Sequence, residues 1–235
     1  MERNEPYVKL LCEDDFRSLS KEDFIVINQN NRQSNKHSFY RLAFDFIKDS
    51  GIVGDYLEFG VHKARTFRMA LSEARLQELN QMNFWAFDSF EGLPKSDSHN
   101  HVKWGPGALA TSEQEFMAII HSFGIFTERV KCVRGFYDET LTEMFSINFL
   151  NTNNKASMVT VDCDLYESAV PVFKFIEYII QPGTVVYIDD YFVGHKGDIN
   201  RGVSKAFNEF KEYSRYEFTE FLSVGWWGKS FIARG

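Results

Sequence analysis

The chain has 235 residues, 44% hydrophobic and 16% aromatic, with 24 Phe, enough apolar material for one α/β domain with a large packed core. A net charge of −7 and the lack of any long basic run exclude a phosphate-backbone binder and leave a small molecule as the expected partner, with no nucleic acid. Three scattered cysteines without a CxxC exclude a disulfide frame and a structural zinc site.

The opening "MERNEPYVKLLCEDDF" has no apolar signal segment. No apolar run approaches the ~20 residues of a membrane span. The expectation is a cytoplasmic protein without a membrane partner. Residues 1–36 read as an N-terminal extension, a lid or an arm of a homo-oligomer, polar and irregular up to "NQNNRQSN". Residues 37–235 read as the main domain.

From Ser38, "SFYRLAFDFIKDSGI" spaces Phe39, Leu42, Ala43, Phe46 and Ile47 as on a helix, and Gly51 and Gly54 turn the chain. "DYLEFGV" is a buried strand, "HKARTFRMALSEARLQELN" a helix and "NFWAFDSF" a second strand. Residues 91–112 form a long Gly- and Pro-containing loop of the kind that often covers a site. "SEQEFMAIIHSFG" is a helix opened by a Ser112–Glu115 capping box. "RVKCVRGF", "KASMVTVDCD" and "TVVYIDDYF" are further strands, separated by "DETLTEMF" and "SAVPVFKFIEYII" as helices. "GVSKAFNEFKEYS" is the last helix, and "YEFTEFLSVGWWGKSFIARG" supplies two strands whose short link makes them antiparallel. Strands alternating with helices predict a mostly parallel sheet covered on both faces.

Four strands end in or beside acid: Glu58, Asp88, Asp162 with Asp164, and Asp189 with Asp190. In a parallel sheet these line the carboxyl edge, where ligands bind. Glu58 with Gly60 on the first strand, and Asp88 thirty residues on, fit a nucleoside site in which a carboxylate accepts from ribose hydroxyls. After Gly60 the chain reads Val61-His62-Lys63-Ala64-Arg65, without the glycines that let a backbone approach a pyrophosphate. That favours S-adenosylmethionine over NAD. Asp162, Asp189 and Asp190 on successive strands would repel one another unless a cation lay between them, and oxygen-only ligands favour Mg²⁺. The competing reading is a solvated acidic rim or a set of helix caps.

"GDYLEFGV", "FWAFDSFEGLP", "VDCDLYES" and "PGTVVYIDDYF", in order from about Ser38 to the C-terminus, resemble the macrocin O-methyltransferase family. The resemblance implies a class I Rossmann-like methyltransferase, a seven-stranded sheet with an antiparallel last strand. It implies an enzyme that uses S-adenosylmethionine and a metal to methylate sugar hydroxyls. By the family pattern Glu58, Gly60, Asp88, Ser89 and Asp138 bind the cofactor, and Asp162, Asp189 and Asp190 hold the metal.

On that expectation Asp162 is the base, with His195 as an alternative base or acceptor contact. Trp104, Tyr166 and Tyr191 are aromatic residues that could stack on a sugar or lie in the core. Of the remaining histidines, His62 lies near the cofactor turn, and His99 and His101 belong to a polar loop. The rivals are an NAD-linked sugar oxidoreductase and an inactive methyltransferase-like binding module. Three mutually repelling carboxylates argue against the second.

Overall fold

The structure is a computed structural model and describes residues 11–95, 105–152 and 155–235. Packing divides the chain into residues 1–35 and 36–235.

In the first unit, helix α1 (Glu13–Ser18) is followed by the start of α2 (Lys21–Asp49). Asp23 Oδ2 accepts from the Ser20 N–H at 2.8 Å, and Ser20 Oγ accepts from the Asp23 N–H at 3.1 Å. This reciprocal cap starts α2 at Lys21, so the stretch expected to be irregular is helical. None of the described residues 11–35 is buried. Phe24, Ile25, Val26 and Ile27 are exposed.

The second unit is built on one seven-stranded sheet, in the order β3-β2-β1-β4-β5-β7-β6. The strands are β1 (Asp55–Phe59), β2 (Phe84–Asp88), β3 (Val130–Arg134), β4 (Ala156–Val161), β5 (Val185–Ile188), β6 (Glu217–Val224) and β7 (Gly228–Arg234). β1 to β5 are mutually parallel, whereas β7 runs antiparallel to β5 and to β6. Alternation along each strand divides the core in two. Tyr56, Met158, Val185 and Tyr187 face the buried side of α2 (Phe39, Tyr40, Ala43, Phe44, Ile47) and of α3 (Arg65–Leu76). Leu57, Phe59, Val159, Val161, Val186 and Ile188 face α7 (Tyr166–Ile179) and α8 (Gly202–Tyr213).

The expected capping box is present: Ser112 Oγ accepts from the Glu115 N–H at 3.2 Å and starts α4 (Glu113–Phe123). The single short helix expected after β3 is two, α5 (Tyr137–Thr140) and α6 (Glu143–Asn151). The outer strands carry charge on exposed positions, Lys131 and Arg134 on β3 and Glu217 and Glu220 on β6. Among the described residues no helix is long and apolar enough to cross a membrane.

Candidate functional site

The parallel ladder continues one residue past the ends of β1, β4 and β5. Asp162 donates its N–H to the Phe59 carbonyl at 2.9 Å, and Asp189 donates to the Val161 carbonyl at 3.0 Å. The first residue after each strand is thereby fixed on one edge. Gly60 has φ +92°, and a Cβ there would lie 1.9 Å from the Asp162 carbonyl oxygen. Only glycine lets β1 turn this close to β4.

Asp162, Asp189 and Asp190 each offer a carboxylate oxygen, and these oxygens all lie within 4.8 Å of one another. Residues chosen from strand-end positions in the sequence are thus brought to one point. Lys36, on the inner face of α2, reaches the same point. Its Nζ donates to Asp189 Oδ2 at 2.8 Å and stands 3.5 Å from Asp162 Oδ2. Tyr187 donates its hydroxyl to Asp189 Oδ1. Asp190 Oδ2 is buried with no hydrogen-bond partner among the described residues.

The charges follow from this geometry. Burial and the neighbouring Asp189 push the Asp162 carboxyl well up, and burial with Asp164 and Asp189 does the same to Asp190. Burial also acts to raise Asp189, but the Lys36 ammonium and the bonds from Lys36 and Tyr187 hold it below its ordinary value. Burial disfavours the Lys36 ammonium, yet the aspartates around it raise its pKa overall. Without more positive charge, Asp189 is the ionised partner of Lys36, and its two neighbours lean towards the neutral acid. A divalent ion would reverse that preference, because metal-bound carboxylates are ionised. The all-oxygen donor set, its close convergence and the unpartnered buried oxygen of Asp190 fit a hard cation.

Of the residues expected to hold a cofactor, Gly60 lies against the Asp162 backbone, and the others differ in exposure. Asp88 is half-buried. Its Oδ2 accepts from the Val61 N–H and its Oδ1 from the Phe90 N–H, both at 2.8 Å, which ties the turns after β1 and β2 together. Each oxygen keeps a lone pair for a further donor. Ser89 donates to the Gly92 carbonyl at 2.7 Å and so shapes its own turn. Asp138 lies exposed on α5.

Glu58 is 0% exposed, and its oxygens accept from Tyr56 and Thr66 hydroxyls at 2.5 Å each. Burial pushes its carboxyl up to about 7 against the lowering effect of those two hydrogen bonds. Tyr40 joins this network, bonded to Tyr56 at 3.0 Å and Thr160 at 2.9 Å. Glu58 therefore underpins the first turn from below.

His62 Nδ1 pairs with the Leu109 carbonyl at 2.7 Å, holding the described end of the 91–112 loop against the β1–α3 turn. Trp104, His99 and His101 lie outside the described residues. Tyr191 is buried against Phe192 and Phe231, which makes it core. Tyr166 donates to Glu209 at 2.7 Å. The His195 ring packs against Gly202.

Sequence reasoning missed Lys36, Tyr56, Thr66 and Tyr187. Lys36 had a signal: it precedes Phe39, Tyr40, Ala43 and Ile47 by three, four, seven and eleven residues, the spacing of one helix face.

A family model described as Macrocin-O-methyltransferase (TylF) matches residues 34–229. A tetracenomycin 4'-O-methyltransferase of Streptomyces olivaceus, which acts on a dimethoxyrhamnosyl derivative, is 25% identical over 61% of this chain and 55% of its own length. Mycinamicin III 3''-O-methyltransferase of Micromonospora griseorubida is 25% identical over 61% of this chain and 57% of its own. The chain thus spans little more than half the length of these relatives. Among solved structures, the O-methyltransferase NovP superposes with a TM-score of 0.68 at 18% identity, covering 86% of this chain and 80% of that one. The calicheamicin methyltransferase CalS11 also gives 0.68, at 16% identity, covering 94% and 84%. At these identities the likeness is one of fold, a Rossmann-like methyltransferase sheet.

Proposed function

The chain belongs to the macrocin O-methyltransferase family, and from that premise we propose that it transfers a methyl group from S-adenosylmethionine to a hydroxyl of a sugar or glycosylated small molecule, with Mg²⁺ held by Asp162, Asp189 and Asp190. The carrying observation is the convergence of those three carboxylates around a point that already attracts an ammonium, with one buried oxygen unpartnered. Residues 37–235 form the methyltransferase domain in this reading.

Held by Asp162, Asp189 and Asp190, Mg²⁺ would supply Lewis acidity, lowering the pKa of the acceptor hydroxyl. The residues of the chain do the rest. Asp162, anchored to β1 by its backbone, takes the hydroxyl proton. S-adenosylmethionine would supply the methyl carbon, its carbon–sulfur bond giving way to the bond from the acceptor oxygen and leaving a neutral thioether. Asp88 uses its remaining lone pairs for the ribose hydroxyls. Gly60 keeps the first turn free of side chain beside the cofactor, and Glu58 with Thr66 holds the start of α3 behind it. Ser89 and Asp138 flank the cofactor on the β2 and β3 sides. Most of the rate then comes from alignment.

The test is incubation of the full chain with labelled methyl donor and a panel of glycosides and nucleotide sugars, with Mg²⁺ or with EDTA. Label on a sugar oxygen only in the presence of metal supports the proposal. Failure to bind S-adenosylhomocysteine, together with binding of NADH, would replace it with the oxidoreductase reading.

A further inference from the structure

Lys36 is a feature of the site that the proposed reaction does not use. Its ammonium bonds to Asp189 at 2.8 Å, stands 3.5 Å from Asp162, and its side chain is only 12% exposed. Phe39 and Tyr40, on the next turn of the same helix, are buried. Phe39 packs on Tyr187 at 4.5 Å between ring centroids, and Tyr187 donates to Asp189. The stem of Lys36 is therefore delivered by a packed helix face rather than reaching in from solvent.

Resting on the metal reading above, we infer that Lys36 is a tethered cation sharing the seat of the divalent ion, so that loading of the ion and departure of the ammonium are one exchange. Two positive charges cannot share the same two oxygens at contact distance. Asp190 Oδ2, which Lys36 does not satisfy, is the oxygen through which an incoming ion gains a ligand the ammonium lacks. The ammonium thus offsets part of the seat's negative charge when no metal is present, and the apparent metal affinity is reduced by the fraction of time Lys36 occupies the seat. A seat filled nine-tenths of the time weakens binding by about tenfold.

The experiment uses the full chain, Lys36→Met (which keeps the length and apolar stem) and Lys36→Arg (which keeps the charge), with Mn²⁺ titrated by electron paramagnetic resonance at one pH without acceptor. The expected result is Mn²⁺ binding about tenfold tighter in Lys36→Met and near wild type in Lys36→Arg. A second readout needs no variant. Lys36 acylation by an amine-reactive ester, read by mass spectrometry, should rise when Mg²⁺ is added to wild type. Equal Mn²⁺ affinity in wild type and Lys36→Met, or acylation indifferent to Mg²⁺ while Mn²⁺ still binds, overturns the exchange and leaves the metal site standing. No Mn²⁺ binding in any of the three proteins overturns both.

Discussion

Gly60→Ala tests the geometry that brings the two halves of the site together. The new methyl would lie 1.9 Å from the Asp162 carbonyl oxygen and 2.9 Å from its carbonyl carbon, at φ +92°. A left-handed backbone strains an alanine by roughly 1–2 kcal/mol, and forcing a methyl into a packed contact adds about 1–3 kcal/mol. The clashing atoms are backbone, so no side-chain rotation relieves them. A loss of about 3 kcal/mol lowers the melting temperature of a chain this size by roughly 6–12 °C. Because β1 and β4 must part, the damage should extend to both ligands. Affinity for S-adenosylhomocysteine and for Mn²⁺ should fall together, measured by calorimetry at a temperature where the variant is folded. A melting temperature within about 2 °C of wild type, with both affinities intact, would show that the turn is not held as described.

Asp162→Asn should abolish most turnover, by roughly 10²–10⁴ if its role is that of the base, while S-adenosylhomocysteine still binds. Methyl transfer surviving both this change and EDTA would refute the assignment. The Glu58 carboxyl is raised from 4.5 to about 7, so its contribution to stability is whole below the unfolded value and is lost as pH rises through 7. Between pH 4.5 and 8, wild type should lose about 3 kcal/mol more than Glu58→Gln in urea unfolding, and parallel curves would contradict it. The Arg134–Glu91 pair, 2.7 Å apart with both side chains more than half exposed, is a contrast. Glu91→Gln should change stability by less than about 1 kcal/mol, checked by the same melts.

The parallel sheet and its carboxylate edge were legible because strand length, the intervening helical spacing and terminal acids are local patterns. Lys36 was not, for a physical reason. The stretch before it holds four Asn and a Ser in eight residues, weak helix formers, so the register linking Lys36 to Phe39 and Tyr40 was not extended backwards. The Ser20–Asp23 cap that starts the helix was a second clue beside that spacing. Glu58 was legible as a strand-end acid, but its depth was not. Burial of that carboxylate depends on Tyr56, Thr66 and Thr160, which converge from three elements. Asp88, in contrast, stands where its spacing from Glu58 put it, with an added structural duty in bracing two turns.

Among the described residues the sheet begins at β3 and stops at β6, and both edge strands present lysine, arginine or glutamate at exposed positions. Recruiting another strand there would strip water from these side chains, a penalty that discourages fibrillar stacking. The flanks of the protein therefore guard against self-templated growth.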